Sequence, residues 1–383
     1  MNQNTFLSHQ ITPPVAEVHP HVLELHGDRR VDNYFWMRDL DNPQVLAYLN
    51  AENAYTEAIM QPTQGLQADL YAEMLGRIQE TDLSVPVRKD DYYYYSRTES
   101  GQAYAIHCRK YGSLDAPEEI LLDENQLASG EDFFSLGIFE VSPNHDILAY
   151  AIDTNGAERY TLYFLDLKTG KLFPEKIEDV YYSFAWANDN RTVFYTKIDD
   201  ANRPFQLYSH VVDTPTNTDK LIYHEPDDSY FLSVGKTRSN AYIVMELGSQ
   251  ITSEVYVLDA NQPQGKFQLI QPRIHGIEYD IDHHGDYFYI VTNEEAINFK
   301  LMKTPINATS KENWQTVIPH REDIMLSGIS LFANHLVIYE RINGLPTARI
   351  HNLTNNTEQA ITFPEPAYGF FEGANPEFNN PSC

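Results

Sequence analysis

Serine chemistry on a peptide carbonyl needs a nucleophile on a strained G-x-S-x-G elbow, with an acid and a histidine following along the chain. The 383 residues offer one partial match, "SGISLF", in which Gly328 and Ser330 are present but Phe332 stands where the second glycine belongs. No catalytic residue is assigned from it. Metal chemistry fares no better: His19 and His21 flank Pro20 in a proline-broken stretch with no third ligand announced. His283 and His284 fall in "DHHGD", read as a solvated turn between strands. Tyr92 to Tyr95 alternate across a strand, two rings to each face, which makes them packing residues rather than a ligand cage. No phosphate-binding glycine loop and no Cys-x-x-Cys pair occurs, so neither cofactor nor metal is expected.

The residues that stand out are three adjacent aromatics, Tyr34, Phe35 and Trp36, followed by Arg38 and Asp39 in "HGDRRVDNYFWMRD". A strand would expose at least one of these rings, and a helix would spread them over most of its circumference. Adjacent large rings imply material on both sides of the segment.

Three elements must position them. Residues 11–36 read as an extended arm with prolines at 13, 14 and 20. Asn42 is a natural N-cap and Pro43 suits the first helical position, so a helix is expected from there to about Met60, closed by Pro62. A second helix follows Gly65, with Leu66, Leu70, Met74 and Ile78 at four-residue spacing. Both apolar faces demand burial. Residues 1–80 are thus an arm with two helices, a thin core by themselves.

From Thr81 onward the texture is β. The runs "YYYY", "ILAY", "TVFY", "AYIV", "YFYI" and "HLVI" begin at 92, 147, 192, 241, 287 and 335. A second set, "AIHCRK", "LYFLDL", "LYSHVV", "VYVLDA", "LMKTPI" and "ARIHNL", begins at 105, 162, 207, 255, 301 and 348 and keeps step with the first. A period in the middle forties with several strands per unit is the mark of a β-propeller blade. The fold class is therefore mainly β: residues 81–383 make a seven-bladed type of β-propeller with six complete blades. The start of a seventh is read in a strand near Tyr368 to Gly373, and the chain is expected to be truncated within that blade.

Charge narrows the partners. With 27 Lys+Arg against 55 Asp+Glu, the net charge of -28 repels a phosphate backbone and excludes nucleic acid. No run approaches the roughly 18 apolar residues of a membrane span. Nothing in "MNQNTFLSHQITPPV" suggests a leader, and Cys108 and Cys383 form no disulfide framework, so a cytoplasmic location is expected.

The assembled pieces resemble a known family. "HGDRRVDNYFWMRDLDNPQVLAYLNAENAY" is similar to the N-terminal signature of the oligopeptidase B group of the prolyl oligopeptidase family of serine peptidases. "EDFFSLGIFEVSPNHDILAYAIDTNGAERYTLYFLDLKTG" resembles that group's second blade, "AWANDNRTVFY" the start of its third, and "GANPEF" the entry to its seventh. The resemblance implies a propeller joined to an α/β-hydrolase domain, absent from this stretch, that cleaves short peptides after Lys or Arg. It implies that the propeller admits only small substrates, and that Tyr34, Phe35 and Trp36 are sandwiched at the hydrolase domain with Arg38 and Asp39 pairing nearby. The triad would lie in that domain, leaving this chain inactive alone. The alternative is a stand-alone propeller serving as a protein-interaction module without enzymatic activity.

Overall fold

A computed structural model describes residues 11–379. The first ten residues, part of the stretch in which no leader is expected, and Cys383 lie outside that range. The chain divides into two compact units, one ending at Glu80 and the other beginning at Thr81.

In the first unit the expected extended arm is corrected. His21–Leu25 and Asp28–Asp32 pair as an antiparallel hairpin. Its two-residue turn explains why: His26 (φ 54°) and Gly27 (φ 81°) are both left-handed, the geometry whose twist matches the flanking strands. Phe35–Arg38 then forms a single 3-10 turn. The first helix runs Pro43–Met60, with the Asn42 side chain accepting from the Gln44 N–H at 3.0 Å. The second runs Gln64–Leu75 and ends before Gly76, short of the expected Ile78.

The stripes forecast for these helices remain uncovered. Val45 alone is buried in the first helix and nothing is buried in the second, while Leu46, Leu66, Leu70 and Met74 are exposed. Apolar faces left open promote association. The isolated chain is expected to bind a hydrophobic dye and to self-associate at micromolar concentration. A monodisperse, dye-negative monomer in sedimentation velocity would contradict this.

The second unit is a succession of antiparallel meanders: four four-stranded sheets and one of seven strands. Second strands open at Tyr92, Ile147, Thr192, Tyr242, Tyr287 and His335, within one residue of the repeat positions read from sequence. The seven-stranded sheet arises because one strand, Lys171–Trp186, serves two neighbours. Its first part pairs with Tyr160–Asp166 and its last part with Thr192–Ile198, the register shifting between them. Asp179, with φ of 58°, sits at the bend.

The turns into the second strands share one chemistry. In "SPNH", "ANDN" and "TRSN" the fourth residue (His145, Asn190, Asn240) has φ near +60° and donates its N–H to the first. Asn and His are among the side chains that tolerate this region best.

Apolar clusters join each sheet to the next. Leu121 and Leu122 meet Val141 and Leu148; Phe194 and Leu207 meet Leu232 and Ile243; Val257 meets Ile281 and Phe288; Leu301 meets Leu326 and Ile338. Fully burying a side chain such as Phe194 or Phe288 contributes roughly 2–3 kcal/mol. The strand expected at Tyr368 to Gly373 is not formed. An extended segment becomes a strand only by pairing, and among the described residues nothing pairs with it. Phe370 instead packs on Phe363 at 5.4 Å.

Candidate functional site

The five residues singled out in the arm are brought together by the hairpin. Phe35 stacks on His21 at 4.0 Å with planes 8° apart, and the Arg38 guanidinium lies over its ring at 4.8 Å. Trp36 lies 5.3 Å from His19 and donates its indole N–H to the Glu17 carbonyl at 3.1 Å. His19 and His21 thus serve as aromatic partners. Tyr34 stays 47% exposed, its backbone N–H held by Asp32. Asp39 closes the turn through its N–H to the Trp36 carbonyl, and the Arg38 guanidinium is turned onto Phe35. Phe35 and Trp36 are thus partly covered by the arm itself, and Tyr34 is left at the surface.

A second cluster was not singled out in the sequence. The inner ends of several sheets enclose two adjoining cavities of about 490 and 390 Å³ that share Lys89, Gly235, Lys236 and Asn240. Glu246, Asp280, Asp282 and Arg238 line the larger, and Glu140, Phe184 and Trp186 the smaller. Charges are forced together here. Lys236 donates to Asn188 Oδ1 at 2.6 Å, and its pKa is pulled down to about 8, first by burial and then by the charge of Lys89. Burial pushes the Glu140 carboxyl up and raises Asp282 to about 6.

Glu246 is raised to about 7 by burial and by the neighbouring Asp280. It binds its proton more tightly folded than unfolded, so it destabilises the fold increasingly as pH climbs from its ordinary 4.5 through that value. Glu246→Gln is accordingly expected to raise the melting temperature at pH 8 by a few degrees, about 1–2 kcal/mol, and to make little difference at pH 5. Thermal unfolding at the two pH values checks this; an equal shift at both contradicts it.

Arg238 and the segment Glu372–Phe378 cross this region. Arg238 pairs with Glu372 at 2.8 Å, bonds the Asn375 carbonyl and lies over Phe332. Ser330, the partial elbow match, is buried in the strand Ile324–Leu331 and donates to Glu372 Oε2 at 2.8 Å, with no histidine among its hydrogen-bond partners. It is structural.

The reading of His283 and His284 as solvated turn residues is corrected. Both belong to the strand Tyr279–His284; His283 is buried between Ser239 Oγ (2.8 Å) and the Gly285 carbonyl (2.7 Å), and His284 reaches the Ala333 carbonyl at 2.9 Å. Ser239 and Ala333 come from neighbouring sheets, which local reading cannot see. Tyr92 to Tyr95 are packing residues: Tyr94 bonds His145 at 2.7 Å and Tyr92 lies under Arg109 at 4.3 Å. Among the described residues no group of three His, Cys, Asp or Glu is placed to hold a metal, and no helix is long and apolar enough to cross a membrane.

Known proteins share this architecture. The chain is 37% identical to dipeptidyl aminopeptidase BI of Pseudoxanthomonas mexicana, covering 97% of this chain and 54% of that protein. It is 36% identical to protease 2 of Moraxella lacunata, covering 93% and 52%. The chain thus spans about half the length of these relatives. Among solved structures it superposes on oligopeptidase B from Leishmania major with a TM-score of 0.86 at 28% identity, covering 93% of this chain and 54% of that one. Oligopeptidase B from Trypanosoma brucei, with covalently bound antipain, gives 0.85 at 28%. Residues 13–382 match the family model of the N-terminal β-propeller domain of prolyl oligopeptidase, and the meander repeat is what that domain requires: the chain belongs to this peptidase family as its propeller portion.

Proposed function

We propose that this chain is the N-terminal and propeller part of an oligopeptidase B-like serine endopeptidase that hydrolyses short peptides after Lys or Arg in the cytoplasm. The observation that carries the reading is the superposition on oligopeptidase B over 93% of this chain but about half of that enzyme. In this reading the strand Lys171–Trp186 is shared by two blades, so the sheets amount to six complete blades, and residues after Phe363 open a seventh. The propeller limits entry to small substrates. The acidic balance of the chain, -28 overall, favours basic peptides. Residues 1–80 pack on an α/β-hydrolase domain, with Tyr34, Phe35, Trp36, Arg38 and Asp39 at that contact. Acyl transfer itself belongs to the hydrolase domain, because no elbow serine occurs in these 383 residues.

The similarity to a dipeptidyl aminopeptidase favours a second reading, release of dipeptides from a free N-terminus. One assay separates them. The complete protein is offered chromogenic peptides ending in Arg, Lys, Pro or Ala, both N-terminally blocked and as unblocked dipeptides. Cleavage of the blocked Arg and Lys substrates, abolished by a serine-directed fluorophosphonate, is the expected result. Cleavage confined to unblocked dipeptide substrates would overturn it.

A further inference from the structure

One buried histidine lies between two carboxylates with a ring nitrogen left unclaimed. His210, on the strand Pro204–Val211, is 1% exposed, and its ring stacks on Phe164 at 5.5 Å with planes 16° apart. Its Nδ1 meets Asp219 Oδ1 at 2.6 Å, and Tyr195 donates to the other oxygen of that carboxylate at 2.8 Å. A carboxylate only accepts, so Nδ1 carries the proton and Nε2 of the neutral ring presents a lone pair. Nε2 has no hydrogen-bond partner among the described residues, and Glu175 Oε1 lies 3.5 Å from it. Glu175 is itself buried; its Oε1 accepts the Asp213 N–H at 2.6 Å, and its Oε2 is unpartnered among the described residues.

Two electron-rich atoms held this close need something positive between them. A proton would draw them together, because a charge-assisted bond from N–H to carboxylate closes to about 2.7–2.9 Å. A metal ion would hold them further apart. With about 2.0–2.1 Å to an imidazole nitrogen and about 2.0–2.2 Å to a carboxylate oxygen, tetrahedral zinc sets its ligands about 3.4 Å apart. The separation found here is that of metal ligands. The surroundings agree: a ligating histidine gives its other N–H to a carboxylate, and a ligating carboxylate is in turn hydrogen-bonded. Asp219, Tyr195 and Asp213 fill those places. Glu175 also lines a cavity of about 510 Å³ with Thr214, Thr216 and Asn217, which provides a path from solvent and room for water.

We propose that Glu175 and His210 are the protein ligands of a zinc-class metal site, with Asp219 orienting the imidazole. The ion bridges the first part of the strand Lys171–Trp186, which pairs with Tyr160–Asp166, to the strand Pro204–Val211, and so ties together the two halves of the seven-stranded sheet. Two protein ligands leave the remaining positions to water, so the expected affinity is micromolar rather than that of a closed four-ligand site. An imidazole in the ligand set favours zinc over magnesium. The site is independent of the peptidase reading.

Isothermal titration of the chelator-treated 383-residue chain at pH 7 tests it, with zinc chloride and magnesium chloride as probes. Zinc is expected to bind and magnesium is not. His210→Gln and Glu175→Gln should each remove one equivalent of zinc, and Asp219→Asn should weaken that equivalent by about 10–100-fold. His275→Gln, at an exposed histidine, should leave it unchanged. Absence of zinc binding overturns the proposal and leaves a proton between the two residues. Zinc binding that survives His210→Gln in full, or magnesium binding as tightly as zinc, overturns it too. Should a variant fail to fold, anomalous scattering at the zinc edge from crystals of the unaltered chain decides. A peak about 2.0–2.2 Å from His210 Nε2 supports the site, and peaks confined to exposed histidines overturn it.

Discussion

Mixed with a separately expressed hydrolase half of a complete relative, this chain is expected to form a complex that cleaves Arg-containing chromogenic peptides, and Trp36→Ala is expected to weaken its assembly by about two orders of magnitude. Trp36 is only half-buried by its own hairpin, and Tyr34 is exposed although it is large and mostly apolar. Covering them contributes roughly 25 cal/mol per Å² of apolar surface, set against the entropic cost of association. Truncating a large buried aromatic typically costs roughly 3–5 kcal/mol, and about 1.4 kcal/mol is a factor of ten in affinity. The local contacts of Trp36 with His19 and Glu17 claim part of that, hence the lower figure. Tyr34→Ala separates interface from folding, because the Tyr34 ring lies at the surface: it should weaken the complex while leaving thermal unfolding of the chain unchanged. Calorimetry showing no association, or Trp36→Ala assembling as well as the unaltered chain, would remove the packing role assigned to this segment. Lys176→Met is the neutral control.

A comparably large effect is expected at a clamp between two sheets. Arg273 reaches Glu254 at 2.7 Å and Glu225 at 2.6 Å, and its guanidinium lies 3.9 Å over the Tyr230 ring. Glu225 and Glu254 are 1% and 6% exposed, so each carboxylate depends on this one cation. Its pKa is driven up by those partners against the opposing effect of burial. Removing one partner of a buried pair typically costs 3–5 kcal/mol because the remaining charge is stranded. Arg273 is itself partly exposed, with 26% of its side chain accessible, which allows water to reach the gap and places Arg273→Met near about 3 kcal/mol. The urea midpoint should fall accordingly, and adding Glu225→Gln should recover part of the loss, since a neutral amide tolerates burial better than an unpaired carboxylate. A single variant within about 0.5 kcal/mol of the parent, or a double variant that loses more than the single, would show that the clamp does not hold the two sheets together.

The helix Pro43–Met60 was legible because its cap lies beside it: Asn42 and Pro43 act within one turn. The phase of the β repeat was legible for the same reason. Each apolar run sits next to the turn that ends it, and the His145, Asn190 and Asn240 positions repeat with the strands. Even the hairpin in place of the expected arm is local, set by His26–Gly27, although the prolines upstream favour extension.

What tertiary structure decided is of another kind. Lys89, Glu140, Lys236 and Asp280 are far apart along the chain and have nothing in common as a motif, yet the inner strands deliver them to one lumen. The trace in sequence is a pair of carboxylates, Asp280 and Asp282, placed within the strand Tyr279–His284. His283 and His284 depart from the solvated turn that their neighbours suggest for the same reason: Ser239 and Ala333, which bond them, belong to other sheets. Caps, turns and strand periods are set by hydrogen bonds spanning a few residues, so type and spacing determine them. Which charges share a cavity is set by how whole sheets stack, and that depends on the summed packing of clusters such as Phe194 on Leu232 and Val257 on Phe288, which no single stretch of sequence contains.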